Sequence, residues 1–287
     1  MAEPIIVGAD GSAPSMRAVE WAADEAARHR RDLHIVHAVE KWAFDVPLSA
    51  APGEIGSLSR TGRQILDAAE HVARDRRPKV HVSTEPAAAG TVRALAERSE
   101  RAFELVVGHR GLGGFAGLVL GSVGLGAVRH AACPVVVVRG EDDSGRGGVA
   151  VGIGLGDDSA SLEYAFRAAE ARGVPLSVVH AWPFPEALDG PGAAASVERA
   201  EERARWRVVE AHAPLRKSHP GVDVDEMIVQ DNPAAALMAT SRMVDLVVVG
   251  THPREGLAVP HSRAVTHALV HHAHCPVAVV PAPGTLT

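Results

Sequence analysis

A chain of 287 residues, 46% of them hydrophobic, is long enough for two ordinary domains that each bury a core, and too apolar for a disordered segment. Its formal charge is −6, from 35 acidic and 29 basic residues, and no basic run appears, so neither nucleic acid nor an anionic membrane is expected as a partner. Two cysteines exclude a disulfide framework, no apolar run approaches membrane-spanning length, and the first residues lack a signal-peptide pattern, so a soluble cytoplasmic protein is expected.

Ile5-Ile6-Val7-Gly8 reads as a buried strand, and Ala9-Asp10-Gly11-Ser12 as the turn that follows it. Met16, Val19, Ala23 and Ala26 mark one face of an amphipathic helix. Leu33 to Val39 is a second strand, and residues 40 to 57, with Trp42, Phe44, Pro47 and Pro52, read as a long loop. Ile65, Ala69 and Val72 mark a second helix, Val80 and Val82 a third strand, and Val92, Leu95 and Ser99 a third helix.

Residues 105 to 138 are the most informative stretch. Leu105-Val106-Val107-Gly108 is an apolar strand that ends in glycine and enters His109-Arg110-Gly111. Nine residues later comes Gly121-Ser122-Val123, where Ser122 reads as the N-cap of a helix with Val123, Ala127, Val128 and Ala131 on one face. Cys133-Pro134 and four valines then make a fifth strand. A strand, a glycine-rich loop and a helix N-terminus in this order make an anion site, because unpaired backbone N–H groups and the helix dipole both favour phosphate. The stretch is neither a Walker A loop, having no Gly-Lys-Ser/Thr, nor a GxGxxG fingerprint.

Residues 140 to 148 are polar and glycine-rich and read as a linker, after which the pattern restarts. Val149 to Ile153 is a strand, and Leu162, Ala165, Phe166 and Ala169 give a helix face. Leu176-Ser-Val-Val-His-Ala-Trp182 matches Leu33-His-Ile-Val-His-Ala-Val39, Gly250 matches Gly108, and Cys275-Pro276 matches Cys133-Pro134. The last two pairs share one 142-residue offset, the mark of a duplicated domain. Alternating strands and helices predict parallel sheets covered on both faces, with ligands past the carboxyl ends of the strands where the winding reverses.

The spacing Gly108-x2-Gly111-x9-Gly121-Ser122 resembles the ATP-binding signature of the universal stress protein family, and with the repeat the whole chain resembles a tandem member of it. That resemblance implies an α/β fold of two tandem doubly wound domains, each a five-stranded parallel sheet of order 3-2-1-4-5 with helices on both faces. Residues 1–140 would form the ATP-binding domain, and residues 148–287 a domain whose nucleotide motif has degenerated. Across the offset, Gly111 becomes Pro253, Gly121 becomes Arg263 and Ser122 becomes Ala264, while aligning Ser15 with Ser161 sets Gly156 opposite Asp10. One nucleotide per chain is therefore expected.

The implied contacts are specific. Gly108, Gly111, Gly121, Ser122 and Val123 donate to phosphates, and Arg110 matches a basic residue that contacts them in ATP-binding relatives. Asp10 accepts from the ribose, although alone it would read as a turn residue capping the next helix. Gly8 lets that turn approach the ligand, and Val39 offers backbone to the adenine edge. The implied function is that of a regulatory, stress-response protein that binds ATP, with Mg²⁺ able to bridge the phosphates, and turns it over little or not at all. It also implies a homodimer. A slow ATPase or adenylyl-transferring enzyme, or an interaction module with a vestigial site, are the alternatives. No lysine lies near the loop and no HxGH or SGGxDS sequence occurs, which weighs against turnover. His267 and His271, four apart near the end, could hold zinc, but a solvated helix end is favoured because no glutamate lies between them. Cys133 and Cys275 read as small buried residues at strand starts.

Overall fold

The computed structural model describes residues 2–38, 52–87, 90–111, 121–140, 145, 147–154, 156, 158–182, 193–251 and 260–282. The chain divides into two units, Met1–Arg139 and Gly140–Thr287.

In the first unit, β1 (Ile5–Gly8), α1 (Ala13–His29), β2 (Leu33–Ala38), α2 (Pro52–Arg76), β3 (Val82–Ala87), α3 (Thr91–Ser99), β4 (Glu104–Gly108), α4 (Ser122–His130) and β5 (Val135–Val138) alternate along the chain. The strands pair in parallel, in the order β3-β2-β1-β4-β5. This is the expected 3-2-1-4-5 order, and the winding reverses between β1 and β4. Ile5, Val7, Leu33, Ile35, Leu105, Val106 and Val136 are fully buried. Neighbouring residues of β4, from Glu104 to Val107, are buried on both faces, as a central strand covered by helices requires. The edge strand β3 instead alternates in burial between its buried ends, Val82 and Ala87.

Alanines build the contact face of α1: Ala18, Ala22, Ala23 and Ala26 are fully buried with Val19, which lets the helix lie close on the sheet. One buried charge fixes α1 to α2. Asp24, 5% exposed, accepts from Arg76 Nε at 3.1 Å, Arg76 Nη2 at 2.8 Å and Arg77 Nε at 2.6 Å.

Two boundaries differ from the reading of the sequence. Helix α2 begins at Pro52, so residues 52–57 are helical rather than loop. Proline suits the start of a helix, where its missing N–H has no intrahelical acceptor anyway. Val80 lies outside β3, because its N–H closes a turn onto Arg77 O at 3.0 Å and the ladder begins at Val82.

The second unit repeats the plan with β6 (Val149–Gly152), α5 (Ser159–Arg172), β7 (Leu176–Trp182), α6 (Ala193–Ser218), β8 (Val224–Gln230), α7 (Pro233–Thr240), β9 (Leu246–Gly250), α8 (Pro260–His272) and β10 (Val277–Val280). Its strands are again parallel, ordered β8-β7-β6-β9-β10.

In the first unit the crevice end of the sheet is set by a close approach. A Cβ placed on Gly108 would lie 2.8 Å from both the carbonyl carbon and the carbonyl oxygen of Pro14, in the first turn of α1. Backbone cannot swing aside as a side chain can. Gly108→Ala is expected to destabilise the protein by about 1–3 kcal/mol, the usual cost of overpacking, read as a lower denaturant midpoint with an unchanged m-value.

Candidate functional site

Strand β1 delivers its turn to the crevice. Ala9 still pairs with β2, donating its N–H to Val36 O at 2.9 Å, and the chain then leaves the sheet at Asp10. Gly11 takes φ +87°, a left-handed conformation that glycine adopts without strain. Asp10 Oδ1 accepts the N–H of Ser12 at 2.9 Å, closing the turn. Ser12, not Asp10, caps α1: its Oγ accepts from Ser15 N at 3.3 Å, and Pro14 sits in the first turn. Ser15 Oγ donates back to Ser12 O at 2.9 Å and accepts from Asp10 N at 3.3 Å. Asp10 is therefore held at backbone and side chain and remains partly exposed.

The β4 loop meets this turn. Ser12 Oγ reaches the carbonyl of Arg110 at 3.5 Å. A side chain on Gly111 would collide with Asp10 Oδ2, so the carboxylate lies directly against the glycine. Gly121 N donates to His109 O at 2.9 Å, which closes the loop at its base. A Cβ on Gly121 would lie 3.8 Å from Gly111 N. The glycines that are ten positions apart in sequence are thus neighbours in space.

Helix α4 starts here, with Gly121 as its N-cap and no side chain capping it. That corrects the expectation for Ser122, which is the first helical residue and exposed. Gly121 takes the extended cap conformation, φ −72° and ψ 156°, so the hydroxyl sits one residue too late to cap. The N–H groups of the first turn have no intrahelical partner, as at any helix start. Val123 is half-buried, and the buried face of α4 is Gly124 and Ala127.

The structure therefore brings together Asp10, Gly108, Arg110, Gly111, Gly121 and Ser122, with Val123 one residue further along α4. Gly8 lies at the end of β1, and a Cβ there would meet Leu95 Cδ1 at 3.3 Å, so its smallness serves the packing of α3. The expectation for Val39 falls outside the described residues. Arg110 is exposed. Ser12 and Ser15 are the positioning residues that motif spacing did not single out, and serines flanking a proline at a helix start are the signal that could have found them.

His109 sits inside the loop, half-buried. Its N–H donates to Val138 O at 3.1 Å and its Nδ1–H to the same carbonyl at 3.3 Å, which fixes the tautomer because a carbonyl only accepts. Burial lowers its pKa below 6.5, opposed by the Val138 hydrogen bond and helped by the charges of Arg139, Arg17 and Arg110. Other chemistry is sparse. Burial, with Glu104 nearby, pushes the Cys133 thiol up to about 12, so it is no reactive nucleophile. The rings of His267 and His271 stack with centroids 4.1 Å apart, and among the described residues no group of three or more His, Cys, Asp or Glu could hold a metal. No helix of the described residues is long and apolar enough to cross a membrane.

The second unit keeps the frame and changes the chemistry. Ile153 N donates to Val179 O at 3.0 Å, as Ala9 does to Val36, and His180 Nδ1 bonds Ile153 O at 3.1 Å, as His37 Nδ1 bonds Ala9 O at 2.7 Å. Ser161 Oγ donates to Asp158 O at 2.9 Å, repeating the Ser15–Ser12 bond. Gly154, rather than Gly156, therefore follows the strand as Asp10 does, and the turn is two residues longer. Among the described residues of that turn, Asp158 is 6% exposed and folded back to accept Gly154 N at 3.0 Å. Ala264 is exposed, and position 253 lies outside the described residues.

The universal stress protein family matches the chain twice, over residues 1–139 and 148–281. The chain belongs to the universal stress protein family. Universal stress proteins of Mycobacterium tuberculosis H37Rv and of Mycolicibacterium smegmatis are 35% and 31% identical to it, over 96% of each chain. A crystal structure of a universal stress protein from Archaeoglobus fulgidus matches 97% of this chain and 98% of its own with a TM-score of 0.69 at 19% identity, which shows a shared fold.

In this universal stress protein, His109 contributes to acid sensitivity with a definite sign. Its pKa is lower folded than unfolded, so below about pH 6.5 the unfolded chain binds the proton first and stability falls as pH drops. His109→Gln is expected to flatten the slope of unfolding free energy against pH below 6.5, measured by urea denaturation across that range.

Proposed function

We propose that this universal stress protein binds one molecule of ATP in its first unit and acts as a regulatory protein with little or no turnover. The convergence of Asp10, Gly111 and the start of α4 carries the reading. A carboxylate fixed by its own turn, and partly exposed, suits the two hydroxyls of a ribose. Beside it, glycines without side chains and the N–H groups of a helix start suit phosphate oxygens. Arg110 extends from the same loop and can reach the outer phosphates. Mg²⁺ would be held by phosphates and water, since no protein ligand for it is assigned.

The second unit supports a stoichiometry of one. There the residue that follows the strand is Gly154, and among the described residues of the turn the carboxylate, Asp158, is buried in a hydrogen bond of the turn itself. Turnover is disfavoured because His109 is committed to Val138 O through Nδ1 and no lysine lies near the loop.

Calorimetric titration of nucleotide-free protein should saturate at one ATP per chain. Gly111→Val should abolish binding, since its side chain would drive into the Asp10 carboxylate and the phosphate space. Asp10→Asn keeps the acceptor that closes the turn but loses the charge, so it should weaken ATP by about 1–3 kcal/mol without unfolding the site. Normal binding by both variants would overturn the assignment, and many turnovers per minute would overturn the regulatory reading.

A further inference from the structure

The first unit carries a second concave site at the other end of its sheet. Helix α1 is 17 residues long, so its C-terminus lies about 25 Å from the Asp10 turn. Where α1 and α2 both end and β2 and β3 both begin, a cavity of about 620 Å³ opens. Arg30, Arg31, Arg76, Arg77 and Lys79 line it against one carboxylate, Asp32, and His81 stands at its wall.

Three of these cations are held in place. Asp24 organises both Arg76 and Arg77, yet one carboxylate cancels only one of their charges. Arg31 is fixed by donating Nη1–H to Glu3 O at 2.7 Å and by lying 4.0 Å over the Phe103 ring. Arg30 and Lys79 are exposed, and neither makes an ion pair among the described residues.

Helix ends alone do not account for this charge. Each C-terminus carries roughly half a negative charge and so attracts cations. Together with Asp24 and Asp32, the two helix ends offset about three of the five. A surplus of about two positive charges remains, concentrated in one recess of a chain whose net charge is −6. Guanidinium groups suit the oxygens of a phosphate group, and an ammonium adds a mobile point charge. Ala27, Pro78 and Val80 give the recess an apolar part for the organic body of such a ligand. The cations are gathered in a pocket rather than strung along a track, which suits a small dianion better than a nucleic-acid backbone.

We propose that this recess is an anion-binding site for a small phosphorylated molecule, separate from the glycine-loop crevice. The test uses the full chain carrying Gly111→Val, which closes the crevice, titrated with inorganic pyrophosphate at low salt by calorimetry. One pyrophosphate should bind per chain with Kd of about 0.1 mM or tighter. Adding Arg30→Gly and Lys79→Glu should weaken it about tenfold or more. Both positions are exposed, and glycine suits the φ of +52° at Arg30, so the fold should persist by circular dichroism. No saturable binding, or unchanged affinity in the double variant, would overturn the proposal. So would tighter binding of an acidic peptide or oligonucleotide that the same two substitutions abolish.

Discussion

The crevice hangs on one approach of backbone to backbone. Gly108 ends β4 against the carbonyl of Pro14, and no residue with a Cβ fits there without moving α1. That contact sets the height of the first turn of α1 above the sheet. The height in turn lets Ser12 Oγ reach the carbonyl of Arg110 and lays the Asp10 carboxylate on Gly111. Two segments nearly a hundred residues apart are thus registered by the absence of a side chain. In the second unit the equivalent glycine, Gly250, faces the side chain of Ser161 rather than backbone, its nearest would-be contact being the hydroxyl at 3.3 Å. The same strand-to-helix apposition is kept there at looser tolerance.

Much of this was legible in the chain. Apolar runs ending in glycine named the central strands because a parallel sheet buried on both faces needs continuous hydrophobicity. The duplication set the domain plan, and the glycine spacing marked the loop. What was illegible depended on partners distant in sequence. Nothing local says that Gly121 rather than Ser122 takes the cap conformation, since that follows from its N–H being drawn to His109 O. Nothing local says that Gly111 is small because of Asp10. The place of Val80 was lost to a turn hydrogen bond, and the start of α2 to a proline that reads as a breaker when it is a beginning.

Comparing the halves separates scaffold from chemistry. The ring of His37 or His180 tying the second strand to the residue after the first, and the serine bonding back to the cap, occur in both. These bonds hold the turn in place whatever it carries. The partly exposed carboxylate beside the glycine loop is present in the first half, whereas in the second Asp158 is spent within the turn. A buried Asp158 that accepts a backbone N–H stabilises its own loop and offers little to a ligand.

The bond from Gly121 to His109 has an evolutionary corollary. It ties Gly121 to His109, so the two ends of the span 112–120 are held together by a stem contact outside that span. Loop closure grows costlier only logarithmically, about 0.6 kcal/mol for each doubling of length. Insertions, deletions and changes of composition in that excursion are therefore cheap to the fold and nearly invisible to the stem. A lineage can rewrite this segment while the stem is inherited unaltered.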